Sequence, residues 1–289
     1  MRLTRFFVIL ISLATIAVTP ALAQIKVGSK NFTEQFVLAE LYAQALEANS
    51  IKVERKINLG GTLIAHKALE EKQIDLYPEY TGTMLLAVIK GEGMTDRKAV
   101  YDKVKTEYAA KGLVVLNEAM NNGYDMVVRP ETAAQYKLET LSDLAKVSKE
   151  LKLGAGPEFR DRKDGLPGLK DKYGIVFKED QQMAIGLRYN ALKGDQIQVV
   201  NGYSTDGMIA ALKLKRLKDD KNLWPPYYVV PVVRKEALDA NPKIAEVLNR
   251  TSALFDEATM AELNFKVDGD KQEPKDVAQA FLRAKGVVK

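Results

Sequence analysis

The chain has no cysteine, one histidine and one tryptophan in 289 residues, and each scarcity removes a class of function. Without cysteine there is no disulfide framework, no thiol nucleophile and no thiolate metal site, so an ordinary hydrophobic core has to hold the fold. One histidine rules out a histidine-rich zinc site, and a Ser-His-Asp triad would have to be built on His66 alone. That residue lies in LIAHKALEE, a helical stretch that supplies it with no nucleophile, and it reads as a solvated helix position. Charge of one sign is scarce too. With 43 Lys and Arg against 38 Asp and Glu, the formal charge is +5, and the lysines are interleaved with acids, which is no footprint for nucleic acid.

Long apolar runs are missing except near the N-terminus. Arg2 and Arg5 precede an apolar stretch from Phe6 to about Val18, and Ala21-Leu22-Ala23 stands just before Gln24. A membrane span needs roughly 18 or more apolar residues, and this run is shorter. Basic start, apolar middle and small-residue end together predict a secretory signal peptide over residues 1–23, with Gln24 opening the mature chain. No cysteine follows to carry a lipid, so a freely diffusing periplasmic protein is expected, and a monomer.

What the sequence does have is alternation. Ile25-Lys26-Val27 predicts a strand, and Asn31 and Glu34 have capping-box spacing for a helix running to about Ala48. Strands follow at 51–59 and at Ile74 to Tyr77, with Gly60-Gly61-Thr62 starting the helix between them. Strands are predicted around Gly123-Tyr124, a helix near Leu141 to Leu151, a loop over Gly154 to Arg162, a helix near Met183 to Leu192 and a strand over Ile197 to Val200. Helices near 244–255, 260–266 and 274–284 close the chain. Strands alternating with helices imply an α/β fold with largely parallel sheets.

One internal similarity refines this picture. Residues 68–81 read ALEEKQIDLYPEYT and residues 191–204 read ALKGDQIQVVNGYS; aligned without a gap, Tyr80 falls on Tyr203 and Thr81 on Ser204. Each copy is a helix end, a turn, a buried strand and a tyrosine at the strand's C-terminal end, where open α/β sheets bind ligands. Two facing lobes would each present one tyrosine to a shared cleft.

The motifs GSKNFTEQ at 28–35, IDLYPEYTGT at 74–83, EFRDRKDGLPGL at 158–169, YSTDG at 203–207 and PPYYVVPVVR at 225–234 occur in the order seen in a known family. As a set they resemble the solute-binding proteins of ABC importers for glycine betaine, choline and related osmoprotectants. The resemblance implies a type II periplasmic binding protein: two α/β lobes joined by hinge strands, lobe I from 24–122 and 228–289, lobe II from 123–227, and no cofactor. It implies a receptor rather than an enzyme, with a quaternary ammonium compound and ABC permease subunits as partners. By resemblance, Tyr80, Tyr124, Tyr203 and Tyr227 form a cage for a trimethylammonium head, Asn122 stands where the family often has Asp, and Lys30, Thr83 and Arg162 receive the ligand's tail.

The cage has a physical rationale of its own. A trimethylammonium group has no N–H to donate, so the electron-rich faces of aromatic rings, rather than hydrogen-bonded carboxylates, select it. An amino acid or other small zwitterion on the same fold would need N–H acceptors, such as a buried Asp, that the motifs do not show. A hydrolase could be imagined on Asp75 and Glu79, but four residues in an extended segment with Pro78 between them give no opposed pair. Asp206 reads as a cap for the helix at Gly207, and Asp268-Gly269-Asp270, too short for a calcium loop, as a solvated turn.

Overall fold

The computed structural model describes residues 24–289; the predicted signal peptide lies outside them. In the first half of the described chain the strands are β1 (Ile25–Gly28), β2 (Val53–Lys56), β3 (Leu76–Tyr80), β4 (Leu113–Val115) and β5 (Tyr124–Val128). In the second they are β6 (Lys152–Ala155), β7 (Glu179–Gln182), β8 (Val199–Tyr203), β9 (Lys215–Leu217) and β10 (Val229–Arg234). They form two five-stranded sheets, ordered β2-β1-β3-β10-β4 and β7-β6-β8-β5-β9. In both, the first three strands are parallel, and the fourth runs antiparallel to its neighbours on either side. The sheets therefore match position by position, and the internal similarity places β3 on β8 at the centre of each.

Central strands covered on both faces should read as near-continuous apolar runs, and β3 and β5 are buried throughout. The chain passes from the first sheet to the second between β4 and β5 and returns between β9 and β10. The two crossings run side by side. Asn121 bridges Tyr228 in antiparallel fashion, and Asn122 N donates to Tyr227 O at 2.8 Å.

The helix Thr33–Ala48 is buried around most of its circumference. Val37, Leu38 and Leu41 pack in the cluster that holds Val277, Ala278 and Leu282, while Tyr42, Ala43 and Leu46 meet Ile244, Val247 and Leu248. The C-terminal helices Lys243–Ser252 and Pro274–Ala284 thus cover this helix, and fasten the end of the chain to its beginning.

Several local expectations are corrected. Residues 154–162 are not a loop: β6 ends at Ala155, and a short helix spans Pro157–Asp161 with proline in its first turn, where a missing N–H costs nothing. Asn31 and Glu34 form no capping box; Phe32 is the extended N-cap, without a side-chain cap bond, because Glu34 is used in a buried polar cluster. His66 is not solvated. It is buried, Nε2 lies 3.2 Å from Glu70 and Nδ1 3.4 Å from the Tyr77 hydroxyl, and burial lowers its pKa although Glu70 opposes the shift. Asp206 occupies the N-cap position of Gly207–Ala211 without a cap bond, its carboxylate accepting instead from Tyr203 N at 2.9 Å and the Tyr189 hydroxyl at 2.7 Å. Asp268 ends the helix Glu257–Asp268 and accepts from Thr33 Oγ1 at 2.7 Å rather than facing solvent in a turn. The strand expected at 197–200 runs two residues later, and the helix Arg97–Ala109 was not anticipated.

Candidate ligand-binding site

Tyr80 and Tyr203 are the last residues of β3 and β8, so the C-terminal edges of both sheets aim a phenol ring at the space between them. Both rings line one small cavity of about 30 Å³, together with Lys30, Thr83, Asn122, Tyr124, Arg162 and Tyr227. All eight residues singled out from the sequence are brought together. Phe32, Thr62 and Glu158 line it as well and were not singled out.

The rings are ordered around two members. Tyr124, the first residue of β5 and paired in register with Tyr203, has ring centroids within 5.3 Å of Tyr203, 5.5 Å of Tyr227 and 5.0 Å of Phe159, with Trp224 at 6.1 Å. Phe32 stacks between the two sheets' tyrosines, 6.2 Å from Tyr80 at 22° and 6.0 Å from Tyr203 at 7°. Phe32 sits in the quoted GSKNFTEQ motif at the strand-to-helix turn, and that position was the one signal that could have found it.

Buried carboxylates hold two of the phenols. The Tyr80 hydroxyl donates to Glu34 Oε1 at 2.8 Å, and the Tyr227 hydroxyl donates to Asp164 Oδ2. Glu34 also accepts from Asn122 Nδ2 at 2.7 Å, Asn264 Nδ2 at 3.0 Å and the Thr205 hydroxyl. Burial raises its pKa, and those four donors pull it back. A carboxylate in this position costs several kcal/mol of desolvation unless every lone pair is met, which explains why one side chain gathers so many partners. The hydroxyls of Tyr124 and Tyr203 have no such partner among the described residues; packing alone orients their rings.

Both cations of the site carry carboxylates. Lys30 Nζ donates to Glu79 Oε1 at 2.5 Å, with both side chains buried, and lies 4.7 Å from the Tyr80 ring centroid. The helix starts only at Thr33, so Lys30 stands ahead of it. Arg162 grips Asp164 with a fork, Nε to Oδ1 at 2.8 Å and Nη2 to Oδ2 at 2.6 Å, and keeps Nη1 for Thr83 Oγ1 at 3.2 Å. Its guanidinium carbon lies 5.7 Å from the Tyr124 centroid. Asp75 is occupied elsewhere, by Lys26 N and Arg234, so it forms no pair with Glu79.

Side-chain contacts join the halves of the molecule across the cavity. Arg162 reaches Thr83, Thr205 reaches Glu34, and the Glu158 carboxylate accepts from both Thr62 N and Thr62 Oγ1, the latter at 2.9 Å. The last contact places an acid at the N-terminus of the helix Thr62–Glu70, where the unpaired N–H groups favour negative charge.

Two sheets with a ring-lined cavity between them describe a solute receptor, and comparison with known proteins decides its kind. The model of the substrate-binding domain of ABC-type glycine betaine transport systems matches residues 23–284. This chain belongs to that family. A glycine-betaine-binding protein of Pseudomonas aeruginosa is 37% identical over 271 residues, covering 90% of this chain and 87% of the relative. A Helicobacter pylori protein named as both ergothioneine transport permease and ergothioneine binding protein is 34% identical over 268 residues; the match takes 90% of this chain but 47% of that longer one. Among solved structures, a glycine betaine/carnitine/choline ABC transporter protein superposes with a TM-score of 0.76 at 34% identity, covering 91% of this chain and 99% of the other. The family member is a type II binding protein in fold, and its family is a transporter substrate-binding domain, not an enzyme family.

Proposed function

We propose that the cavity binds a compound with a trimethylammonium head, of the glycine betaine and choline class, and delivers it to an ABC permease. The observation that carries this reading is the convergence of Tyr80, Tyr124, Tyr203, Tyr227 and Phe32 on one cavity. Each ring face contributes about 2 kcal/mol or more to a desolvated cation, so five rings supply about 10 kcal/mol or more against association costs of at least about 4 kcal/mol. The head lies among the rings; the tail meets Arg162 Nη1, Thr83 and Lys30. Both cations are matched by Asp164 and Glu79, so the tail end is polar yet near neutral in charge and takes a carboxylate or a hydroxyl.

The lobes of this reading meet at the Asn121–Tyr228 bridge, with lobe I covering 24–122 and 228–289 and lobe II 123–227. Closure is a hinge motion, and the contacts of Glu158, Arg162 and Thr205 across the cavity favour the closed form that a permease recognises. Export to the periplasm rests on the N-terminal pattern and on family membership. Among the described residues no helix is long and apolar enough to cross a membrane.

Trp224 makes the test simple. Its ring lies 6.1 Å from Tyr124 and its Nε1 donates to Asp164 O at 2.9 Å, so occupancy of the cage changes its fluorescence. Titration with glycine betaine, choline, carnitine and ordinary amino acids is expected to give saturable responses with the methylated cations alone, and unaltered ligand by mass. A response confined to primary amines, or the appearance of product, would overturn the reading.

A further inference from the structure

Beside the cage, a second pocket of about 430 Å³ shares Lys30, Phe32, Glu158 and Tyr203 with it and continues to Arg188. Arg188 is 1% exposed, the largest side chain so deeply buried. Burying a guanidinium is costly unless a carboxylate meets it, and among the described residues none lies within 4.0 Å. Its Nη1 donates to Asn201 O and Oδ1. Nε has no partner, and Nη2 makes no hydrogen bond among the described residues. Asp206, itself pushed up to about 7 by burial, and Asp268 feel its charge from beyond that distance. The other charges on the pocket wall are committed, Lys30 to Glu79 and Glu158 to Thr62.

We infer that Arg188 floors an anion subsite for the carboxylate of a betaine longer than glycine betaine. This rests on the cage reading and extends it, since Tyr203 belongs to both spaces and lies 5.9 Å from the Arg188 guanidinium carbon. With a cation held within about 6 Å of the Tyr203 centroid, the two charges sit at most about 12 Å apart, and the N–H···O bond to the carboxylate takes up about 2.8 Å of that. The single methylene of glycine betaine reaches only the shorter separations within this limit, whereas a chain of about three to five carbons reaches further along it, keeping the head in the cage while the carboxylate takes the free edge of the guanidinium as a planar acceptor.

The probes are 4-trimethylammoniobutanoate, its methyl ester and glycine betaine, titrated calorimetrically into the mature chain. On the unaltered protein the acid is expected to bind at least ten-fold tighter than the ester, which keeps the head and length but not the charge; equal affinities overturn the inference. In Arg188→Gln the acid-to-ester ratio should fall to within about two-fold, with Arg188→Lys intermediate. A ratio unchanged by substitution, or equal losses for acid, ester and glycine betaine, assigns Arg188 a structural role only and overturns it as well. Should the variants not fold, a crystal structure of the unaltered protein with the acid decides: a carboxylate on Arg188 supports the subsite, and one on Arg162 or Lys30 refutes it. If glycine betaine binds and the longer acid does not, this inference fails alone; if no trimethylammonium compound binds, the cage reading fails with it.

Discussion

Tyr80 performs two tasks with one side chain: its ring walls the cavity, and its hydroxyl supplies one of the four side-chain donors that make a buried Glu34 tolerable. Substitution separates them. Tyr80→Phe keeps the ring and strands a lone pair, so urea unfolding should show a loss of about 1–3 kcal/mol while ligand affinity moves little. Tyr203→Ala removes a ring that no hydroxyl bond restrains and should weaken binding by about 1–2 kcal/mol, about five- to thirty-fold by calorimetry. Tyr80 and Tyr203 were legible because motif and strand-end position coincide at them, Tyr124 and Tyr227 from their motifs alone. Glu34, Asp164 and Phe32 were not. A buried carboxylate looks in sequence like any first-turn acid of a helix, and only the packed structure shows Tyr80, Asn122, Thr205 and Asn264 arriving from four separate segments.

The helix Thr62–Glu70 was legible from its Gly60-Gly61-Thr62 start, but its use was not. Its first N–H is taken by Glu158 from the other half of the chain, and Gly61 leaves room for this approach: a Cβ there would come within 2.2 Å of Glu158 Oε1. Gly61 has φ −74°, which alanine accepts without strain, so Gly61→Ala should displace the carboxylate without damaging the fold. One charge-assisted hydrogen bond nets about 1.5–3 kcal/mol, and part is recovered by water; affinity should drop about three- to ten-fold, with the thermal midpoint nearly constant. Calorimetry beside a melting curve checks both. A large fall in melting temperature would show that the contact supports the fold rather than closure. The mistaken loop over 154–162 has the same origin, since five helical residues beginning with Pro157 are too few to show a period.

At the scale of the whole molecule, pH reports on a group that does not line the cavity but accepts a hydrogen bond from Tyr203 N. Asp206, buried behind the end of β8, is pushed up to about 7, chiefly by burial, with Arg188 and the Tyr189 and Tyr203 donors opposing and Asp268 adding to the rise. A raised pKa means that the folded state holds the proton more tightly. Stability from this group is therefore complete below pH 3.8 and is lost as pH rises to about 7, at up to about 1.4 kcal/mol per unit. Asp206→Asn, which can still accept both hydrogen bonds through one oxygen, should flatten the decline and raise the melting temperature at pH 8; an unchanged pH profile would refute this. Composition and strand-helix alternation by themselves determined the α/β class, and the repeated helix-turn-strand-tyrosine unit determined that two sheets would each end in a phenol, because both are short-range patterns written in neighbouring residues. Which carboxylate neutralises which cation, that Phe32 fills the gap between Tyr80 and Tyr203, and that Arg188 is left without an acid were decided only by tertiary structure, because each depends on distances between segments that lie far apart in the chain.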